Sequence, residues 1–223
     1  MSVPILDSST NGAGTTSTVT SLSWTHTCSG LNRYLFVPIY FNSPVTSLVV
    51  TYNGVAMTQV DNVNDASKYG YFYGLVNPDA GSSYTVSATW TTARYACSNS
   101  ISYNNVNQST PLGTGAKISM TGSPTSLNIS LGSEDIGIGF FVAQNQTSTV
   151  FPTITAVGTG QTDRCIQTWT AGASSARIRA GDITGTGTVT MSWTSSNATP
   201  RFSIAYPLRG AAISSGNFFQ FFN

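Results

Sequence analysis

Charge is what this chain has least of: only 8% of its 223 residues are Asp, Glu, Lys or Arg, and they nearly cancel to a formal +1. With no basic cluster, the phosphate neutralisation that drives nucleic-acid binding has nothing to act through, so no nucleic-acid partner is expected. Histidine occurs once, as His26. A hydrolase triad would have to be built on it, yet between Thr25 and Thr27 it has no nucleophile motif at hand, and a structural or surface role in a strand is expected. Carboxylates are no better placed for glycosidic acid–base work. Glu134 and Asp135 are adjacent, so in a strand they point to opposite faces and in a turn they are solvated charges. Asp7, Asp61, Asp65, Asp79, Asp163 and Asp182 fall in predicted turns or near a terminus. No catalytic residue, cofactor or enzyme activity is expected.

Other shortages narrow the class further. The three cysteines, Cys28, Cys97 and Cys165, are odd in number and widely spaced, which favours buried thiols over a disulfide framework and leaves open whether any two pair. The oxygen-rich Asp61-Asn62-Val63-Asn64-Asp65 reads as an Asx-rich loop; it lacks the local glycine of a calcium loop, and no metal is expected. No eighteen consecutive residues are apolar, and Met1-Ser-Val-Pro-Ile-Leu-Asp7 has neither a basic start nor an apolar run of signal length. The expectation is a chain that neither spans a membrane nor carries an export signal.

What is abundant is turn and strand chemistry. Ser and Thr exceed a quarter of the residues, beside 21 Gly and an 11% aromatic share. That composition suits many short strands joined by polar turns. The strongest local signal is Val45 to Val60, two β-rich runs around Asn53-Gly54. A two-residue Asn-Gly loop fits a type I′ turn, with φ > 0 expected at both positions. The first arm carries apolar side chains on both faces, which predicts a sheet covered on both sides.

Further strands are predicted at Ser23–Cys28, Tyr34–Phe41, Tyr69–Leu75, Tyr84–Trp90 and Arg94–Tyr103. In the second half they fall at Leu127–Leu131, Ile136–Val142, Thr162–Trp169, Ala176–Arg179, Thr188–Trp193 and Phe202–Leu208. Tyr34–Phe41 is apolar throughout and expected to be buried on both faces, with Pro38 placing it at an edge or a bulge. In Ile136-Gly-Ile-Gly-Phe140 the glycines fit a closely packed strand, since no helix follows to make a nucleotide loop. Trp24, Trp90, Trp169 and Trp193 lie in alternating strands, where core packing is favoured over sugar stacking. No linker separates the halves. The domain reading is a flexible N-terminal arm (1–15), one β-sandwich (16–210) and an aromatic C-terminal tail (211–223).

The run Val-Thr-Tyr-Asn-Gly-Val-Ala-Met-Thr-Gln-Val (50–60), then Tyr-Gly-Leu-Val-Asn-Pro (73–78), then Ile-Ser-Tyr-Asn-Asn-Val-Asn-Gln-Ser-Thr-Pro-Leu-Gly (101–113) resembles a jelly-roll-like β-sandwich domain that recurs in phage structural and bacterial surface proteins. The match spans about Val45 to Gly113. The resemblance implies an all-β, jelly-roll-like antiparallel sandwich with a structural or adhesive role and no catalytic residues. Together with the missing export signal it gives the functional expectation. This is a non-enzymatic virion protein, a capsid subunit or a decoration or fibre protein of a phage-like particle, assembled in the host cytoplasm. Its partners would be itself and other virion proteins, with cell-surface glycans as a further class. The alternative is a carbohydrate-binding or adhesion module of a bacterial surface protein, located outside the cell. Phe218, Phe219, Phe221 and Phe222, four within five residues, are the expected homo-oligomer contact, because such a cluster does not stay in water.

Overall fold

A strand reading Tyr-Leu-Phe-Val-Pro-Ile-Tyr-Phe has to be covered on both faces, and every residue of Tyr34–Phe41 is buried. Its position organises the rest. The computed structural model describes residues 2–65, 67–120, 125–196 and 201–212, and these form antiparallel strands with no helix. The first half supplies β1 (Ile5–Thr10), β2 (Val19–Thr27), β3 (Tyr34–Phe41), β4 (Val49–Tyr52), β5 (Val55–Ala56), β6 (Thr58–Asp65), β7 (Lys68–Val76), β8 (Ser83–Arg94), β9 (Ala96–Ser98) and β10 (Ser100–Asn104). The second supplies β11 (Ala116–Met120), β12 (Thr125–Leu131), β13 (Ile136–Asn145), β14 (Ile154–Ala156), β15 (Gln161–Ala171), β16 (Ser174–Ile183), β17 (Gly187–Ser195) and β18 (Arg201–Leu208).

These strands stack as four sheets. The first half pairs an inner sheet β1-β10-β3-β7-β6 with an outer sheet β2-β8-β4-β5; the second pairs an inner sheet β11-β18-β13-β16-β15 with an outer sheet β12-β17-β14. Three apolar clusters fill the gaps. Leu35, Val37, Ile39 and Phe41 of β3 meet Val50, Val86 and Trp90 of the first outer sheet. Phe36, Tyr40 and Phe72 meet Phe140, Ile178 and Phe202 between the two inner sheets. Phe141 and Ala143 meet Leu127, Met191 and Trp193 of the second outer sheet. The two inner sheets therefore share a core across the halves.

The halves repeat one plan. With β5 taken as the return arm of β4 and β9 as part of β10, each half has eight strands. Both inner sheets then read first, eighth, third, sixth, fifth, and both outer sheets second, seventh, fourth. Polar ties join the inner sheets beyond the shared core. Tyr103 donates its hydroxyl to Asp182 Oδ2 (3.1 Å), which also takes Arg164 Nε (2.8 Å). Tyr40 donates to Gln144 Oε1. Asp61 accepts from Lys117 Nζ (2.7 Å) and the Tyr206 hydroxyl (2.9 Å).

Several expectations need correction. Residues 5–10, read as part of an arm, form β1 on β10: backbone pairing needs no apolar side chain, and Asp7 and Thr10 find hydrogen-bond partners. Asp61–Asp65, read as a loop, lies in β6, where Val63 is buried against the core and the polar residues alternate around it. The Val45–Val60 arm is not covered on both sides, since Val49 stays 50% exposed on an outer sheet while Val50 is buried. Pro38 sits in a central strand. Its missing N–H falls on the β9/β10 side, where Asn99 N–H donates to Pro38 O (3.3 Å) without a return bond. β9 and β10 keep one register on β3 across that break.

Candidate functional site

Polar residues inside an apolar stack need partners, and the gap between the first half's two sheets contains a chain of them. On β10, Ser100 and Ser102 face the outer sheet, while β2 turns His26 inward; all three are buried. Ser102 donates to Asp7 Oδ2 (2.8 Å) and so accepts from His26 Nε2–H (3.0 Å). His26 Nδ1 then faces the hydroxyls of Thr10 (2.9 Å) and Ser100 (3.0 Å), and Ser100 accepts from Trp24 Nε1–H (2.9 Å). Asp7 also takes the Ser29 N–H (2.8 Å) and hydroxyl. Burial pulls the His26 pKa from 6.5 down to about 4, against the raising effect of Asp7. A neutral imidazole with filled nitrogens and 1% exposure has no route to a substrate. The Ser, His and Asp are present in the wrong order, with the carboxylate on the serine, so the arrangement fastens β1 and β2 to β10.

The clefts carry little chemistry. One, about 460 Å³, is lined by Thr159, Thr184, Thr186, Thr188, Thr190 and Ser192, whose side chains offer only hydroxyls. A smaller one, about 200 Å³, touches Asp163, Arg164, Cys165 and Arg179. Its charges are already committed: Arg179 pairs with Asp163, Trp193 Nε1–H reaches the same carboxylate (3.4 Å), and Arg164 forks onto Asp182.

Other candidate residues fall as follows. Cys28, Cys97 and Cys165 are free and buried, and burial pushes each thiol's pKa up, away from reactivity. Glu134 and Asp135 lie in the turn between β12 and β13, where Asp135 Oδ2 accepts from Gly132 N–H (2.9 Å). A Cβ at Gly137 would stand 2.5 Å from Ile183 and one at Gly139 2.6 Å from the Ile204 carbonyl, the close packing expected of that strand. Trp90, Trp169 and Trp193 are buried, and Trp24 is half-buried. Among the described residues no group of three or more His, Cys, Asp or Glu is arranged to hold a metal. Phe218, Phe219, Phe221 and Phe222 lie outside the described residues. No family model matches the chain, and neither a curated protein nor a solved structure matches it.

The outer faces carry hydroxyls and amides rather than charge, as the Ser/Thr-rich composition leads one to expect. β2, β4, β12, β14 and β17 contain no charged residue, and β8 has only Arg94 at its end. Cross-strand rows such as Ser23–Ser87–Thr51 and Ser21–Thr89–Val49 cover one broad face, and Ser126–Ser192, Asn128–Thr190 and Ser130–Thr188 cover the other. The alternating Ser/Thr in these strands was the available signal.

Proposed function

We propose that this chain is a non-enzymatic structural subunit of a virion, a capsid, decoration or fibre protein of a phage-like particle. The observation that carries the reading is the tandem build. Two halves with one strand plan share a core, giving a block with two broad, uncharged, hydroxyl-covered faces. Such faces repel neither one another nor a neighbouring copy, and they suit repeated protein–protein contact. The strand order supports a jelly-roll-like plan in each half, with the fifth strand moved onto the inner sheet. The resemblance of Val45–Gly113 to a domain of phage structural and bacterial surface proteins is compatible with this reading. The test is immunogold electron microscopy of particles from the native source with antibody to the purified chain. Regular gold on the particle surface or tail is expected, and gold confined to cell envelopes would overturn the reading in favour of a bacterial surface module.

A further inference from the structure

Where the first outer sheet stops short, the inner sheet shows part of its face. Along β7, Gly70 and Phe72 turn toward the second half, with Gly70 against Phe140 and Val63, so Tyr69 and Tyr71 turn the other way. Both are half-exposed. In the β6–β7 register Asn62 stands opposite Tyr71 and Asn64 opposite Tyr69. Directly paired residues share a face, so two carboxamides flank two phenol rings.

The rings are held in place. Tyr69 and Tyr71 lie 6.2 Å apart at 18°, Tyr71 meets the edge of Phe41 at 5.8 Å, and Phe41 meets Trp90 at 4.8 Å in the core. A file of four aromatics thus runs from solvent to a buried tryptophan. Tyr69, at its outer end, has no ring on its second face among the described residues. The side-chain amides of Asn62 and Asn64 and the hydroxyls of Tyr69 and Tyr71 make no hydrogen bond within the described residues. No charge intrudes. Asp61 is taken up by Lys117 and Tyr206, and Lys68 points its ammonium at Ser67.

We propose that Tyr69, Tyr71, Asn62 and Asn64 form a binding site for a neutral hexopyranose glycan. An aromatic face presents negative π-density to the weakly positive C–H face of a pyranose, and a carboxamide offers a donor and an acceptor side by side to neighbouring sugar hydroxyls. Lys68, the adjacent cation, lies on the Gly70 face of β7, away from the rings, which selects against sialylated or sulfated chains. Because the Tyr71 ring is clamped before any ligand arrives, little ordering cost is left to binding. The site stands independently of the particle reading, since it needs only these four side chains.

The test is an array of neutral hexasaccharides ending in glucose, galactose, mannose or N-acetylglucosamine, with sialylated versions alongside, probed with the full chain and followed by calorimetry on the best neutral hexasaccharide. Saturable binding of a neutral hexasaccharide is expected. Tyr69→Ala should weaken it about tenfold or more while leaving the melting temperature within a few degrees. Tyr69→Phe should retain most of it, and Asn64→Ala should weaken it with the fold intact by circular dichroism. Failure of every neutral hexasaccharide to bind, preference for the sialylated set, or affinity unchanged in Tyr69→Ala would overturn the proposal.

Discussion

At the scale of single residues, His26 shows what burial does to an ionisable group. Its protonated form is disfavoured in the fold, with a pKa of about 4 against 6.5 in the unfolded chain. Between those values the unfolded chain binds the proton and the folded chain does not. Stability is therefore complete above about pH 6.5 and falls as the pH drops toward 4. Between pH 7 and pH 5, before most carboxylates titrate, urea denaturation should show a loss of about 2 kcal/mol. In His26→Gln that slope should flatten, whatever the variant's overall stability; an unchanged slope would place the titrating group elsewhere. The sequence reads His26 as structural or surface rather than catalytic because nothing flanks it. It could not show the hydroxyls that fill both nitrogens, since Thr10, Ser100 and Ser102 arrive from distant strands.

At the scale of elements, the β4–β5 hairpin has the backbone its Asn-Gly loop calls for, with φ of 48° at Asn53 and 77° at Gly54. A Cβ at Gly54 would meet nothing within 4 Å, so Gly54→Val probes backbone conformation without a clash. A loss of about 1–2 kcal/mol is expected, seen as a melting temperature several degrees lower. An unaltered melting curve would mean that the loop relaxes to another turn at no cost. Strands with apolar alternation, such as β8 and β12, were legible because their pattern states which face is buried. β1, β6, β11 and β14 were not. All four end a sheet; an edge strand needs few apolar side chains, so Ile5–Thr10 reads as part of an arm and Asp61–Asp65 as a loop.

At the scale of the whole molecule, assembly can be put to a direct test. Truncation after Ser215 removes Phe218, Phe219, Phe221 and Phe222. If these make the contact between copies, light scattering should show an oligomer for the full chain and a monomer for the truncated one, with β-sheet circular dichroism unchanged. The same oligomer after truncation would remove the tail from the interface. The all-β class was readable from composition, yet the repeated plan was hidden. Equivalent strands such as β3 and β13 share only burial, Tyr34–Phe41 being rich in aromatics and Ile136–Asn145 built around glycines. Topology repeats here where residue identity does not.

The shared core between the inner sheets also bears on how the chain is made. During synthesis, residues up to Asn104 can complete both sheets of the first half before their partner exists. Phe36, Tyr40, Phe72 and Tyr103 would then lie open on the face destined for the second half. At about 5–20 residues per second, the remaining chain takes on the order of ten seconds to follow. For that interval the nascent half exposes a sticky aromatic surface beside the ribosome. Two neighbouring ribosomes on one message could close it with the wrong partner, so slow translation of the second half should raise the yield of aggregated chain.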